Sequence, residues 1–431
     1  MKRNARQARS LPLSRAGSLR AAILLTVFQP ALPALLRAED APEAKPAVPA
    51  PLRGVYDKPF LGELWRKARA GGYTEFEFHD FENDILGIDE GFRMRRTNLF
   101  FFTDIADSVR FGSEIEFETE FEGVPSSEIE VAVEMAFVDW TLFEELKLRG
   151  GAILPPLGRI NVNHDGPVRE LTDRPLVSTF VIPTTLTEAG VGAHGTFGIA
   201  DWLGLRYEVY AVNGFNILDE NGNLAVDISE GEQILRAGRT SIGGDINSGL
   251  ASTGRISFEI AKQFELGGSW HVGTYDENGD NLLAISALDA AWSGELHLTD
   301  SSPVALGLEG ELAVSDFQRN SFAKAAGVPD RFWGFYAQGT AGGMPDFLRN
   351  AAPNVFGGEG SSLGVVLRYD WVDLDGDKSD AIEPGITFRP VADTVFKFSY
   401  KFTQRSLGIG GVPGREHFDD KGFVFSISSY F

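Results

Sequence analysis

Apolar and polar residues alternate along most of the chain from residue 72 onward. The clearest case runs from Val109 to Phe121, where odd positions are mostly apolar and even positions mostly charged. A helix with this sequence would mix both classes around its surface, whereas a strand separates them onto two faces. Similar alternation recurs in the segments 129–137, 203–209, 256–260, 363–371 and 396–402. The pattern therefore predicts an all-β protein.

Many of the predicted strands reach about ten residues, the length that a tilted strand needs to cross a bilayer. Strands of soluble sandwiches are usually shorter, about five or six residues. The last strand carries Phe423 and Phe425 on one face and Ser426 on the other, and it ends on Phe431. We therefore predict a transmembrane antiparallel β-barrel over residues 72–431, with about 16 strands and roughly 14 to 18 allowed.

The N-terminal region has a different pattern. Several basic residues precede an apolar run from Ala21 to Phe28, an order that is typical of an export signal removed from the mature protein. We predict a signal peptide over residues 1–38, with a soluble amphipathic helix as the alternative. Residues 39–71 are predicted to be a periplasmic linker rich in Pro and Ala, with a short helix over 59–70.

Composition and motifs argue against nucleic-acid binding, a disulfide framework and two kinds of enzyme site. Acidic residues outnumber basic ones by 61 to 39, for a net charge of -22, which disfavours nucleic acid as a partner. The chain has no cysteine, so no disulfide framework can form. Two motifs that resemble a dinucleotide loop (190–195) and a nucleophile elbow (360–364) lack the surrounding strand and helix that their chemistry needs. We expect no cofactor, no metal site and no catalysis.

The prediction that Phe431 lies on the periplasmic side orients the other connections. The short turn at 389–394 is then periplasmic, and the segments 372–380 and 404–420 become outer loops. Within the first of these, residues 373–380 carry four Asp, whose oxygens are ligands that Ca²⁺ prefers. The glycine and the final Glu of an EF-hand are not in place, so a solvated loop is favoured and calcium binding is left open.

A long connection between two predicted strands, residues 155–187, is the main candidate for a functional loop. It carries Arg159, Arg169 and Arg174 among other charged residues. One hypothesis is that the loop folds into the lumen and that these three arginines contact passing anions at a constriction. The alternative is that they brace the loop against the barrel wall through salt bridges.

The alternation also predicts which charged side chains of the strands face the lumen. These are Glu114, Glu116, Glu118, Glu120, Lys147, Arg149, Arg206, Arg368, Lys397 and Lys401. A row of glutamates repels anions and favours cations, whereas the basic residues have the opposite effect. The sequence leaves the ion preference open.

Seven short segments resemble the phosphate-selective porin O and P family of outer-membrane porins. They are Ala136–Trp140, Leu148–Gly158, Asp173–Val177, Tyr210–Gly214, Phe335–Gly339, Leu367–Asp373 and Ile386–Pro390. The resemblance implies a barrel of about 16 strands in the outer membrane, in contact with lipid and with the barrel-assembly machinery. It also implies passive passage of small anions such as phosphate, and a homotrimer as one assembly.

These observations together predict an outer-membrane porin that lets small solutes or ions diffuse through a water-filled lumen. Two alternatives stay open at this point. One is an enzyme carried by a membrane barrel, of the lipase or protease type, and the other is a structural or adhesive barrel with a plugged lumen.

Overall fold

Antiparallel strands make up most of the molecule. The computed structural model describes residues 62–65, 68–82, 91–121, 124–226, 234–239, 242–243, 249–297, 303–409 and 412–431. The predicted signal peptide and most of the predicted linker lie outside these residues. The strands are β1 (Gly62–Trp65), β2 (Ala68–Phe81), β3 (Gly91–Ala106), β4 (Val109–Phe121), β5 (Val124–Phe143), β6 (Leu146–Ile153), β7 (Glu188–Ala200), β8 (Leu203–Val212), β9 (Ala251–Ile260), β10 (Phe264–Thr274), β11 (Leu282–Leu296), β12 (Val304–Phe317), β13 (Arg331–Gly343), β14 (Ser362–Leu374), β15 (Asp377–Val391), β16 (Thr394–Ile409) and β17 (Val412–Tyr430).

The sheet closes on itself. Each strand from β2 to β17 pairs with the next one along the chain, and β17 returns to pair antiparallel with β2. The result is a closed antiparallel barrel of 16 strands, which confirms the predicted strand number. Closure leaves no unpaired sheet edge for lipid to meet. The short β1 pairs with the first residues of β2.

Helices are few and short. A 3-10 turn spans Gly166–Val168, and the α-helices are α1 (Leu176–Phe180), α2 (Ile234–Ala237), α3 (Ser321–Ala325), α4 (Asp346–Ala351) and α5 (Pro353–Phe356). Among the described residues, no helix has the length and apolar character needed to span a membrane.

The two faces of each strand differ as the alternation predicts. On β14, Leu363, Val365 and Leu367 are exposed on the outside, whereas Arg368 and Asp370 are buried inside. A lipid-facing surface needs apolar side chains, and an interior that holds polar groups must pair them. The strand pattern read from the sequence is therefore confirmed on this wall.

Two boundaries in the sequence-based prediction are wrong. The predicted helix over 59–70 is replaced, in its described part, by β1 and by the start of β2 at Ala68. The predicted outer loop at 404–420 is largely a continuation of β16 and β17, whose ladder extends to the pair Ile409 and Val412.

The Asp-rich segment 373–380 forms a tight hairpin rather than a loop. Asp373 accepts a hydrogen bond from the Gly376 amide (2.7 Å), and Asp375 adopts a positive φ of 59°. In the part of the chain that the structure describes, this hairpin offers no group of three carboxylate or imidazole ligands close enough to share a metal ion. The four aspartates are distributed over the ends of β14 and β15 and the turn between them, with Asp375 exposed at the tip.

We call the end of the barrel that carries Phe431 the inner end and the opposite end the outer end. The turn between β15 and β16 lies at the inner end, where the Tyr430 amide donates to the Asp393 carbonyl (3.0 Å). The connections 154–187 and 213–250 leave from the outer end. One connection at the inner end is long, because residues 344–361 carry α4 and α5.

Candidate pore constriction

The connection between β6 and β7, residues 154–187, runs through the inside of the barrel, and we call it the inward loop. Thr172 bonds Ser426 on β17 through their hydroxyls (2.8 Å), and the Leu176 amide donates to Asp370 on β14 (3.1 Å). Farther around the ring, Arg159 pairs with Glu265 on β10 (2.8 Å). Contacts with strands on different sides of a closed ring require the loop to cross the lumen.

Apolar side chains hold the inward loop against one side of the wall. Residues of the loop and of α1 join strand residues in one buried cluster that includes Leu157, Val177, Val181, Ile182, Leu186, Leu283, Ile285 and Ala313. Burying each such side chain stabilises the folded state by roughly 1.5–3 kcal/mol. The inward loop therefore packs against the inner faces of β11, β12 and β13 through a buried apolar cluster.

Arg159 contacts carboxylates of the wall. Its guanidinium donates to Glu265 (2.8 Å) and to Glu309 (3.1 Å), and its backbone amide donates to Glu311. The side chain is buried. Since two carboxylates neutralise its charge, Arg159 has the arrangement expected of a brace between the loop and the wall.

Arg169 has a similar arrangement on the opposite side. Its guanidinium donates to Glu75 of β2 (3.3 Å) and to the carbonyl oxygens of His164 and Thr172. The same Glu75 carboxylate accepts a hydrogen bond from Lys397 (3.4 Å). Glu75 is fully buried, so this network ties the loop to β2 and β16.

Arg174 differs from these two arginines. It donates to the carbonyl of Thr184 (2.8 Å) and to the hydroxyl of Thr185 (3.1 Å). Arg236 of α2 donates to the same Thr184 carbonyl (3.1 Å). In the part of the chain that the structure describes, the hydrogen bonds of Arg174 and Arg236 go to oxygens of Thr184 and Thr185 and to no carboxylate. Burial, together with the positive charges of Arg96 and Arg169, lowers the pKa of Arg174 in this loop.

Both of these arginines line a cavity of about 630 Å³ on the outer side of the inward loop. The charged residues around it are Arg95, Arg96, Arg174, Arg236, Arg239, Glu116, Glu118, Glu130 and Glu134. We call it the outer cavity. A second cavity of about 240 Å³ is lined by other residues of the loop, including Arg159 and Arg169.

The structure pairs many of the charged strand residues that were predicted to face the lumen. Arg368 bonds Asp370 (2.7 Å) and Glu383 (2.8 Å), and Lys401 bonds Asp173 of the inward loop (2.6 Å). Lys397 also donates to the carbonyl of Gly166 in that loop (2.7 Å). Contact with the inward loop means that Lys397, Lys401 and Arg368 point inward.

Three further basic residues of the predicted set lie on strands β6 and β8, toward the inner end of the barrel. Arg149 pairs with Asp139 (2.7 Å) and lies over the ring of Phe137. Lys147 is partly exposed and pairs with Glu144 (3.1 Å) near the inner end. Arg206 lines a small cavity of about 40 Å³.

The glutamates of β4 separate into different environments. Glu114 and Glu116 are buried, and Glu116 pairs with Arg96 (3.0 Å). Glu118 is partly exposed at the outer cavity, where Arg96 lies 3.6 Å from it. The side chain of Glu120 lies outside the described residues. The expected continuous acidic row is therefore partly neutralised by arginines of β3.

Sequence reasoning missed Arg236, Arg239 and the pair Arg95 and Arg96. Arg236 and Arg239 lie in the connection between β8 and β9. The sequence of this connection has no alternating pattern, so the position of these two arginines could not be predicted from it. Arg95 and Arg96 are adjacent in the sequence, so they break the alternation at a register shift between β2 and β3. Four consecutive polar residues, Arg95 to Asn98, were the one indication in the sequence.

The fold and the chain's sequence both match known porins. A family model described as phosphate-selective porin O and P matches residues 69–307, more than half of the chain. The chain belongs to this family. The protein is located in the outer membrane, as its family and its barrel fold indicate. The family resemblance read from short segments is therefore confirmed.

Two solved structures have a similar fold. An anion-selective porin from Comamonas acidovorans is 12% identical, with a TM-score of 0.50, and the match covers 84% of this chain and 99% of that one. The outer-membrane channel DcaP of Acinetobacter baumannii is also 12% identical, with a TM-score of 0.50, covering 84% and 97%. At this identity the likeness shows the fold alone.

A relative in Aquifex aeolicus (strain VF5) is 32% identical over 214 residues. The match covers 49% of this chain and 46% of the relative, which is described only as an uncharacterized protein. This chain thus spans about half the length of the curated relative that it matches.

Proposed function

We propose that this porin is a passive diffusion channel for small anions, phosphate among them, and that Arg174 and Arg236 attract anions at the outer cavity. The observation that carries the proposal is the set of hydrogen bonds made by the two guanidinium groups. Both guanidinium groups are held by the Thr184 carbonyl, with no carboxylate to neutralise them among the described residues. A positive charge held by a neutral group keeps its attraction for a passing anion.

The acidic side of the outer cavity opposes this attraction but is partly compensated. Glu116 and Glu118 both lie within salt-bridge distance of Arg96. Two charges 4 Å apart in water interact by about 1 kcal/mol, which corresponds to roughly a fivefold change in local ion concentration. We propose that the two arginines without a carboxylate partner among the described residues set the ion preference of this cavity.

The test is the reversal potential of purified protein in planar bilayers under KCl and potassium phosphate gradients. We expect Arg174→Gln and Arg236→Gln each to lower the anion-to-cation permeability ratio about two- to fivefold. Glutamine can still donate to the Thr184 carbonyl, so the loop should keep its position. An unchanged ratio in the double variant would overturn the assignment.

The matched control is Arg349→Gln. Arg349 lies on α4 at the inner end, exposed and next to Asp346 (3.8 Å). Its replacement removes one positive charge from the molecule without touching the inward loop, and we expect the wild-type permeability ratio. The same recordings separate a channel from a plugged structural barrel, which would show no ohmic conductance.

The proposed channel needs neither catalysis nor a cofactor, since diffusion requires only a polar path and fixed charges. Ester hydrolysis by the purified protein would favour the barrel-borne enzyme instead. A homotrimer in contact with outer-membrane lipid is the assembly that we propose from the family likeness. Chemical cross-linking in native membranes tests it.

A further inference from the structure

A buried group of metal-ligating side chains lies beside the outer cavity and does not include Arg174 or Arg236, the two arginines of the proposed anion path. Glu114 of β4, Glu134 of β5 and His164 of the inward loop place one ligand atom each within 4.8 Å of one another. All three side chains are at most 3% exposed. Each comes from a different element, so the group forms only when the loop is folded in.

The contacts of His164 limit what can lie between its ring and the Glu134 carboxylate. Its Nδ1 lies 3.0 Å from the carbonyl oxygen of Asn161, an arrangement in which Nδ1 must donate. In a neutral imidazole, Nε2 then carries a lone pair, and it faces the Glu134 carboxylate at 3.1 Å. A lone pair opposed to a carboxylate is repulsive unless a proton or a cation lies between them. Metal-bound histidines commonly donate their other N–H to a backbone carbonyl in this way.

A fourth side chain supplies an independent observation. Asn98 of β3 is fully buried, and its Nδ2 donates hydrogen bonds to an oxygen of Glu114 (2.9 Å) and to an oxygen of Glu134 (2.9 Å). Its Oδ1 has no hydrogen-bond partner. With a cation between the two carboxylates, a rotation of the terminal amide would exchange the two atoms, replacing the two hydrogen bonds from Nδ2 with contact between Oδ1 and the ion.

We propose that Asn98, Glu114, Glu134 and His164 form a binding site for a divalent transition-metal ion of the zinc type. One imidazole nitrogen with carboxylate and amide oxygens suits Zn²⁺ or Mn²⁺, whereas Ca²⁺ and Mg²⁺ prefer oxygen ligands alone. Ligands about 2.0–2.1 Å from a tetrahedral ion lie roughly 3.3 Å apart. The distance of 3.1 Å between the His164 Nε2 and a Glu134 oxygen is close to this separation between ligand atoms.

The bound ion would connect the inward loop to three neighbouring wall strands. His164 belongs to the loop, while the other ligands belong to β3, β4 and β5. Glu134 also lines the outer cavity, so an ion that enters this cavity can reach the site. Occupancy is therefore expected to stabilise the loop in its folded position.

The experiment uses the full chain, refolded in detergent with chelator and then titrated with Zn²⁺ by calorimetry. We expect about one Zn²⁺ per chain, competition by Mn²⁺, and none by a tenfold excess of Ca²⁺ or Mg²⁺. His164→Asn and Glu134→Gln should weaken binding at least about tenfold, since even residues that only support a ligand change affinity by about that much. The readout is independent of conductance and of the proposed anion path.

The matched control is His271→Asn. His271 is an equally buried histidine that faces a single carboxylate, Glu188, at 3.0 Å, and it belongs to no group of three ligands among the described residues. We expect the wild-type affinity for Zn²⁺. Absence of binding by the wild type at millimolar Zn²⁺, or equal binding by all variants, would overturn the site.

A third variant of the site keeps the test decisive if the first two fail to fold. Asn98→Asp places a third carboxylate beside Glu114 and Glu134, which should lower the melting temperature of the chelated protein by mutual repulsion. Zn²⁺ should restore it, because the added carboxylate is a better ligand than the amide. Loss of stability that Zn²⁺ does not reverse would contradict the proposal.

Discussion

Adjacent residues on one strand of this barrel meet different surroundings. Phe398 of β16 is 41% exposed on the outer wall and packs against Phe425 of β17, with ring centroids 4.8 Å apart. Ser399 is buried, and its hydroxyl donates to Glu383 of β15 (2.7 Å). The alternation predicted the side on which each residue lies. It could not predict Glu383 as the partner, because the pairing register of β15 and β16 is not encoded locally.

This difference predicts two distinct effects on stability. Phe398→Arg places a charge in lipid and should lower the free energy of unfolding by roughly 2–4 kcal/mol near mid-bilayer. Ser399→Ala removes one hydrogen bond to Glu383 and should cost about 1 kcal/mol. Urea unfolding in lipid vesicles measures both. Equal losses for the two variants would contradict the assigned faces.

The three arginines of the inward loop show where residue-level prediction ends. The sequence grouped Arg159, Arg169 and Arg174 as candidates for the same role, with bracing as the alternative. The structure places the first two on carboxylates of β10, β12 and β2, and the third on backbone and hydroxyl oxygens. Those partners lie up to about 150 residues away in the chain, so no local pattern could separate the three. The role of Arg174 in ion preference stays a prediction.

At the scale of elements, strands in the membrane were predictable and the ends of the barrel were not. The bounds of β4, Val109–Phe121, coincide with the predicted alternating segment. In contrast, the ladder of β16 and β17 continues to Ile409 through a stretch rich in glycine and charge. Strand residues beyond the bilayer need no apolar face, so the signal that identifies a spanning strand is lost there. Pairing with β2 likewise overrides the helical pattern near Gly62.

The glycines of β7 serve close strand packing. A Cβ atom at Gly192 would lie 2.1 Å from the Val209 carbonyl oxygen and 2.5 Å from the Tyr210 ring. Gly192→Ala should therefore lower the free energy of unfolding by about 1–3 kcal/mol, the usual cost of overpacking. Gly198 of the same strand has open space around it, and Gly198→Ala is the matched control. Urea midpoints that fall equally for both variants would contradict the packing argument.

At the scale of the whole molecule, the closed ring and the inward loop have different origins. Closure follows from repeated amphipathic strands, and it was predictable from their number and length. The position of the loop follows from buried clusters and ion pairs that join it to β2, β10, β12, β14, β16 and β17. Such contacts exist only after the ring has closed, so the sequence indicates a long connection but not its path.

The seam between β17 and β2 gives the last prediction. Phe431 and Gly72 exchange two backbone hydrogen bonds of 2.9 and 3.0 Å, next to the paired residues Tyr430 and Tyr73. Deleting Phe431 removes both bonds at the point of closure, and about 1 kcal/mol is expected for each. We therefore expect a smaller fraction of folded protein after insertion into vesicles, measured as the fraction with heat-modifiable mobility on gels, and a lower urea midpoint.

Phe431→Tyr keeps both backbone bonds and the ring, so it should assemble like the wild type. Full assembly of the deletion variant with an unchanged midpoint would mean that the seam is held by the remaining ladder of β17 and β2 alone.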